Sequence, residues 1–209
     1  MIDFSNVSNI VIPEGEVEKI TCNNITLWEK KKVEEYTKVE YIQLDGTQYV
    51  DTNIICNENT KIEMTFTREE ESARYLFGVA SSDNTASVTG YQSGVANGSW
   101  RFGGGYTRPS VDVNKKHTFI MDKNGITIDS SKKSYSGTVG VFNTPQTLII
   151  GGCNSVSGTV GSVRHIGKIY EFKMYENDKL ILHYMPCINK EGIYGFYDYV
   201  NKQFILLQQ

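Results

Sequence analysis

Two pairs of carboxylates have the spacing that a glycoside-cleaving site on a strand would use. Glu69 and Glu71 are two residues apart, as are Glu14 and Glu16, so each pair would point to one side of an extended chain. A retaining glycosidase needs two carboxylates about 5.5 Å apart that face one cleft. Both pairs, however, lie in or beside segments that the sequence predicts as turns. Neither pair is therefore expected to act as a general acid and base.

Other catalytic and metal chemistries have weaker support in the sequence. The three histidines and many serines leave a Ser-His-Asp arrangement open, but no G-x-S-x-G elbow is present. The four cysteines lack C-x-x-C spacing, so we expect free, buried thiols. A zinc site built on His183 and Cys187 would need further ligands, and the remaining histidines are His117 and His165. We predict a protein that is not an enzyme and has no cofactor.

Sugar recognition is the chemistry that the residue types favour. It needs aromatic rings for the apolar faces of a sugar and planar polar groups for its hydroxyls. One stretch contains both types, and a polar loop further along adds more. Trp100 and Phe102 would share one face of a strand and are expected in the core, which leaves Arg101 on the opposite face. The candidate ligand-binding residues are Tyr91, Arg101, Tyr106, Arg108, Asn154, Arg164 and His165.

Strands must position these residues, and the clearest strand spans Gly167 to Tyr175. Tyr170, Phe172 and Met174 alternate with charged residues, which is typical of a half-buried strand, and the polar turn at 176–179 returns the chain through Leu180 to Tyr184. Isoleucine, valine and threonine greatly outnumber alanine and leucine, as expected for an all-β protein. The turn signals predict about a dozen strands in a two-sheet sandwich.

Charge and hydropathy exclude some partners. The formal net charge of -3 with mixed signs predicts neither nucleic-acid binding nor a basic membrane-binding patch. No apolar run approaches the roughly 20 residues of a membrane span. The N-terminus has no signal-peptide pattern, so we expect a chain that is made soluble and is not cleaved.

The first 38 residues read as a separate small unit. Three short apolar strands, near residues 10–12, 17–21 and 25–28, cannot enclose a core, and we expect Ile12, Ile20, Leu27 and Trp28 to pack against something larger, such as another chain. The charged run from Glu29 to Lys38 reads as a solvated linker or one helical turn. We predict an attachment or oligomerisation segment at 1–38 and a sandwich at 39–209.

Several blocks, read in order, carry a resemblance to a known family. YIQLDGTQYVDTNI begins the larger segment, RYLFGVA and TLIIGG lie in its middle, and GKIYEFKMYENDKLILHYMPCINKEGIYGFYDYVNKQFI closes it. Together they resemble the concanavalin A-like lectin/glucanase sandwich, in the laminin-G-like form found in bacterial surface proteins and in phage or prophage tail and fibre proteins. The resemblance covers Val39 to Ile205, and its most specific part is the closing block.

The resemblance implies a jelly roll of two antiparallel sheets with a concave, sugar-binding face. Related hydrolases carry an E-x-D-x-x-E strand, which is absent here. The implied function is a non-enzymatic phage virion protein, from a tail, fibre or head fibre, that binds a cell-surface glycan. It would contact other virion proteins through residues 1–38 and form a homo-oligomer, with a trimer favoured. A purely structural virion protein and, less favoured, a glycoside hydrolase remain alternatives. Calcium at Asp83 or Asp112, by analogy with relatives, has no ligand spacing behind it.

Overall fold

A computed structural model describes residues 19–22, 25–29, 36–92 and 98–209, with the backbone alone for the first two ranges and for Gln92. Every regular element in these ranges is a β-strand. The chain divides into two compact units, Met1–Glu34 and Glu35–Gln209. In the described part of the chain, no helix has the length and apolar composition to cross a membrane.

In the first unit, the described residues form an antiparallel hairpin. β1 (Lys19–Cys22) pairs with β2 (Ile25–Glu29), and the register shifts between Ile20 and Thr21. The two later strands predicted for this segment are therefore present. The first one, near residues 10–12, and the predicted packing of Ile12, Ile20, Leu27 and Trp28 lie outside what the structure describes.

The second unit is built on two antiparallel sheets, and the larger has ten strands. Its strand order is β13-β12-β11-β6-β15-β16-β17-β18, and β3 and β4 pair with β16 and β15. The strands are β3 (Tyr36–Lys38), β4 (Ile42–Asp45), β6 (Thr60–Arg68), β11 (Lys116–Asp122), β12 (Gly125–Ile128), β13 (Ser131–Lys133), β15 (Ile166–Glu176), β16 (Lys179–Asn189), β17 (Tyr194–Asp198) and β18 (Gln203–Leu206).

The smaller sheet has six strands in the order β10-β9-β8-β7-β14-β5. These are β5 (Val50–Asn57), β7 (Arg74–Val79), β8 (Ser87–Gln92), β9 (Ser99–Gly103), β10 (Gly105–Thr107) and β14 (Asn143–Ile150). The prediction of an all-β jelly-roll sandwich of two antiparallel sheets is confirmed.

One aromatic cluster joins the sheets in the core. Phe77 and Trp100 come from the six-stranded sheet, and both are fully buried against Phe119 of the ten-stranded sheet. The ring centroids of Phe77 and Phe119 are 5.2 Å apart, and those of Trp100 and Phe119 are 5.1 Å apart. Such pairs add specific geometry to the burial of apolar area. The inner faces of both sheets therefore meet here, and each sheet keeps an outer face.

The strand predicted most clearly, β15, differs from strict alternation at one point. Its register with β6 shifts between Ile169 and Glu171. Because this irregularity holds an extra residue, Ile169, Phe172 and Met174 all face the core, while Tyr170 is half-buried on the other side. The prediction that Tyr170 shares a face with Phe172 is wrong. The predicted turn is confirmed, and Asn177 and Asp178 adopt positive φ, as a tight hairpin requires.

The chain enters the sandwich earlier than the sequence suggests. Residues 36–38, which the sequence assigns to a charged linker, form β3 and pair with Asn189, Ile188 and Cys187 of β16. The linker interpretation is wrong for these three residues, because Tyr36 stacks on Tyr197 with ring centroids 4.0 Å apart. The division at residue 38 otherwise stays a prediction.

The segment after β3 passes from one sheet to the other. β4 pairs with β15 in the ten-stranded sheet, whereas β5 pairs with β14 in the six-stranded sheet. Gly46, with φ of 89°, therefore lies where the chain crosses from one sheet to the other. The chain then closes on itself, because Tyr49 and Gln208 exchange backbone hydrogen bonds of 3.0 and 2.8 Å.

Candidate functional site

Four side chains meet on the outer face of the six-stranded sheet, and we call this surface the tyrosine–arginine face. It consists of Tyr75 on β7, Tyr91 on β8, Arg101 on β9 and Tyr106 on β10. Tyr106 is 40% exposed, and the other three side chains are half-buried. Three of the four are residues that the sequence predicts as ligand-binding.

Strand alternation and register place these four residues together. Trp100 and Phe102 are fully buried and point into the core, so Arg101 between them points outward, as predicted. Arg101 is the cross-strand partner of Tyr106, and Tyr91 is the partner of Tyr75. Directly opposed side chains in an antiparallel pair lie about 5 Å apart at Cβ. The face is thus made of two adjacent cross-strand pairs.

The contacts within the face are aromatic. The rings of Tyr75 and Tyr91 have centroids 4.6 Å apart and are tilted by 45°. The Arg101 guanidinium carbon lies 5.8 Å from the centroid of the Tyr106 ring, within the range of a cation–π contact. Burial raises the pKa of Tyr75, and the nearby Arg101 partly offsets that rise. Tyr75 is therefore a neutral hydroxyl at neutral pH, able to donate and to accept.

Glycines in the turn before β10 set the position of Tyr106. A Cβ on Gly103 would lie 2.4 Å from the carbonyl oxygen of Val139, and one on Gly104 would lie 2.7 Å from that of Thr138. A glycine run after a strand marks a bend or a close backbone approach, and the close approach is present here. Beyond the turn, Tyr106 and Ser136 exchange backbone hydrogen bonds of 2.9 and 2.7 Å. The edge of the sheet that bears Tyr106 is therefore fixed to the next segment.

The polar loop 151–165 covers the neighbouring part of the same sheet. A Cβ on Gly78 would lie 2.8 Å from the Cys153 sulfur, so this loop packs directly on β7. Asn154 forms isolated bridges with Val79 and Val160. Cys153 is 8% exposed, and its burial raises the pKa of the thiol to about 12. The loop is thus a packed border of the tyrosine–arginine face.

The three ligand candidates in this loop have structural roles. Asn154 is 5% exposed and donates through Nδ2 to the Thr147 carbonyl at 3.3 Å. Arg164 donates to the carbonyl oxygens of Gly161 and Thr47 and lies 4.8 Å from the centroid of the Tyr49 ring. Polar loops are usually exposed, and this one is folded back on the sheet. We correct the prediction for Asn154, which is buried, and for Arg164, whose guanidinium is engaged within the protein.

His165 is corrected on the same grounds. It is fully buried, its Nε2 donates to the Thr67 carbonyl at 3.1 Å, and burial lowers its pKa to about 4. It is therefore a neutral core histidine at neutral pH and does not contact a ligand in solvent. Arg108, by contrast, is exposed two residues after Tyr106, in the segment that follows β10.

Tyr75 is a member of the face that the sequence did not identify. The stretch from Tyr75 to Ala80 is apolar throughout and indicates a strand buried on both sides. The register between β7 and β8 shifts between Tyr75 and Phe77, so Leu76 and Phe77 are both buried while Tyr75 points outward. Tyr75 pairs with Tyr91 across β7 and β8, so a pairing of these two tyrosines is the signal that would identify Tyr75 as a member of the face.

The histidines do not form a Ser-His-Asp site within the described residues. His117 Nδ1 lies 2.6 Å from Asp129 Oδ2, but its Nε2 lies 3.1 Å from the carbonyl oxygen of Asp112, where a nucleophile would have to be. His183 Nε2 lies 2.8 Å from Glu171 Oε1. Within the ranges described, no group of three or more His, Cys, Asp or Glu side chains could hold a metal ion. Calcium binding stays untested.

The outer face of the ten-stranded sheet has a different character, and we call it the lysine–tyrosine face. Its lysines lie over tyrosine rings, with nitrogen-to-centroid distances of 3.9 Å for Lys61 over Tyr175, 3.8 Å for Lys116 over Tyr170 and 4.4 Å for Lys168 over Tyr41. Carboxylates pair with two of these three lysines and with two other side chains: Lys61 is 3.0 Å from Glu63, Lys168 is 3.9 Å from Glu69, and both Lys173 and His183 are 2.8 Å from Glu171.

Comparisons with known proteins give likenesses to solved structures only. No family model matches the sequence, and no curated protein does. The mouse laminin alpha1 chain, domains LG4-5, superposes with a TM-score of 0.44 at 15% identity, covering 82% of this chain and 48% of that chain. The chain thus spans about half the length of that laminin chain. A heptameric SAP-like pentraxin from Limulus polyphemus has a TM-score of 0.41 at 10% identity, covering 72% of this chain and 79% of that chain.

Proposed function

We propose that this protein is a non-enzymatic, carbohydrate-binding component of a phage or prophage virion that attaches to a cell-surface glycan. The observation that carries the proposal is the tyrosine–arginine face, where the Tyr75–Tyr91 ring pair lies beside the Arg101–Tyr106 pair. Aromatic rings stack on the apolar faces of sugars, and the hydroxyl and guanidinium groups hydrogen-bond to sugar hydroxyls. The phage setting follows from the sequence resemblance and is part of the proposal.

Binding to an array of bacterial cell-wall and capsular polysaccharides tests the proposal. We expect the wild-type chain to bind at least one polysaccharide. Tyr91→Ala and Tyr106→Ala should each weaken that binding by about tenfold or more. Tyr194→Ala is the matched control, because Tyr194 is a 55% exposed tyrosine on β17 of the other sheet. Binding that survives Tyr91→Ala and Tyr106→Ala, or that falls equally in Tyr194→Ala, would contradict the proposed site.

The first unit is proposed to attach the sandwich to copies of itself or to another virion protein. A trimer is the favoured assembly, since several weak sugar sites presented together gain avidity. Because β3 belongs to the sandwich, the deletion that tests this idea removes residues 1–35 and keeps Tyr36. Light scattering should show an oligomer for the full chain and a folded monomer for the truncated one. A monomeric full-length chain would contradict this part of the proposal.

A further inference from the structure

The charges of strands β7 to β10 are the starting point for an inference about the ligand. These four strands contain two arginines, Arg74 and Arg101, and no acidic residue. Arg74 is neutralised, because its Nη2 lies 3.1 Å from Glu70 Oε2. Arg101 has no hydrogen bond or ion pair to any residue that the structure describes. Its guanidinium makes a cation–π contact with the Tyr106 ring. The tyrosine–arginine face thus has a single uncompensated positive charge at its centre.

The nearest strand with a carboxylate in this sheet is β5, at the opposite edge. Asp51 on β5 is separated from β9 by three strands, or about 19 Å at the usual strand spacing. Its carboxylate accepts hydrogen bonds from Thr147 Oγ1 at 3.0 Å and from the Asn53 amide at 2.8 Å. The packed loop 151–165 also lies between this edge and Arg101. Asp51 therefore cannot compensate the guanidinium.

The arrangement around Arg101 favours a planar, singly charged group. A guanidinium presents paired N–H donors that match the two oxygens of a carboxylate. The Tyr106 ring lies beside the guanidinium, and Tyr91 lies about 7 Å from it along the diagonal of the β8–β9 pair. A six-membered sugar ring stacked on either tyrosine places a carboxylate at its C5 position within reach of Arg101.

We propose that the glycan bound by the tyrosine–arginine face contains an acidic sugar, with its carboxylate paired to Arg101. This inference rests on the proposed function, because it assigns the chemical class of ligand at the same face. It distinguishes the ligand from a neutral polysaccharide, which the tyrosines alone would bind.

The test uses two polyuronates, polygalacturonate and hyaluronate, each beside the same polymer with its carboxyl groups reduced to alcohols. The full-length protein should bind at least one polyuronate at least tenfold more tightly than its reduced form, and added salt should weaken that binding. Arg101→Gln should abolish the preference, and Arg101→Lys should restore part of it, because a lysine keeps the charge and loses the fork. Lys132→Gln on β13 is the control for an equal change in net charge at an exposed site.

Each outcome decides one of the two proposals. Equal binding of the acidic and reduced polymers, or an unchanged preference in Arg101→Gln, overturns the acidic-sugar inference. The proposed function survives that result if Tyr91→Ala and Tyr106→Ala still weaken binding. If the protein binds neither polyuronate but binds a neutral polysaccharide, the inference is wrong and the proposed function stands. If it binds no polysaccharide of either kind, both are wrong. Thermal melts of each variant show whether a loss of binding reflects a loss of folding.

Discussion

The two outer faces of the sandwich both combine tyrosine rings with cationic side chains, but they differ in the carboxylates beside those cations. On the lysine–tyrosine face, Lys61 and Lys168 each contact both a ring and a carboxylate, and Glu171 is shared by Lys173 and His183. On the tyrosine–arginine face, Arg101 contacts a ring and has no carboxylate partner in the described chain. Lys116, over the Tyr170 ring, is an exception on the lysine–tyrosine face, with no carboxylate partner in the described chain. If the proposed function is correct, the placement of carboxylates, more than the number of tyrosines, distinguishes the face that binds.

Truncation of Phe172 beneath the lysine–tyrosine face has the largest expected effect on stability. Phe172 is fully buried, so Phe172→Ala should lower the free energy of unfolding by about 3–5 kcal/mol through loss of buried area and the cavity that remains. Urea denaturation measures this change. Tyr170→Ala, on the outer side of the same strand, is the matched control and should cost about 1 kcal/mol. A loss below about 1 kcal/mol for Phe172→Ala would mean that the faces of β15 are reversed.

Acid should weaken a buried contact and a surface contact of the ten-stranded sheet in different pH ranges. The pKa of His165 is lowered from 6.5 to about 4, so the unfolded chain takes up a proton that the folded chain excludes. The contribution of His165 to stability is therefore complete above pH 6.5 and falls by about 3 kcal/mol as the pH drops to 4. The pKa of Glu171 on the lysine–tyrosine face is also lowered, by hydrogen bonds from Lys173 and His183 that outweigh its burial, so its contribution is lost only below pH 4.5.

Denaturation of His165→Gln at a series of pH values separates these two ranges. The glutamine keeps a donor for the Thr67 carbonyl and does not itself titrate. Between pH 6.5 and 4.5 the variant should therefore lose less stability than the wild type, by most of the His165 contribution. An unchanged pH slope in the variant would show that another group takes up the proton.

A carboxylate placed beside Arg101 should pair with its guanidinium, as Glu63 and Glu69 pair with lysines on the lysine–tyrosine face. Ser99 lies two residues from Arg101 on the same side of β9, about 7 Å away, which a glutamate can span. Ser99→Glu should weaken binding of an acidic glycan by at least tenfold and change the free energy of unfolding by less than about 1 kcal/mol. Ser99→Gln is the matched control. Isothermal titration calorimetry with the bound polymer measures binding by each variant, and urea denaturation measures the free energy of unfolding. Equal binding by the glutamate and glutamine variants would contradict the idea that Arg101 must be unpaired.

Removal of a paired lysine should have the smallest effect. Lys173→Met on the lysine–tyrosine face deletes a partly exposed ion pair with Glu171, and such pairs contribute roughly 0–1 kcal/mol. Glycan binding should not change, since the pair is on the other sheet. Chemical denaturation and the polysaccharide array measure the two quantities. A clear loss of glycan binding would move the site to the lysine–tyrosine face.

The sequence predicts the sandwich because its strongest signals are local. Alternation identifies Arg101 as outward and Trp100 as inward, and the polar turn at 176–179 is where the chain reverses. The register shifts in β7 and β15 are not local signals, because a bulge depends on the partner strand. For this reason the sequence does not identify Tyr75 as a member of the face and predicts the wrong face for Tyr170.

The polar loop at 151–165 shows a second limit of sequence reasoning. Its serines, glycines and arginine indicate solvent exposure, yet it packs on β7 through Cys153 and Asn154 and ends in the buried His165. Polar residues that hydrogen-bond to backbone carbonyls look the same in a sequence as polar residues that bind a ligand. For this reason the sequence wrongly predicts Asn154, Arg164 and His165 as ligand-binding.

The short pairing of β3 with β16 has a mechanical consequence. A force applied to the chain ahead of Tyr36 enters the sandwich through β3, whose three residue pairs and the Val39-to-Pro186 hydrogen bond of 3.0 Å carry the load first. The next element, β4, is held separately along β15. Tension that peels β3 away would therefore release roughly 20 Å of extended chain while the rest of the sheet stays intact. A sandwich held under load by its N-terminal side would lengthen in a small first step before it unfolds.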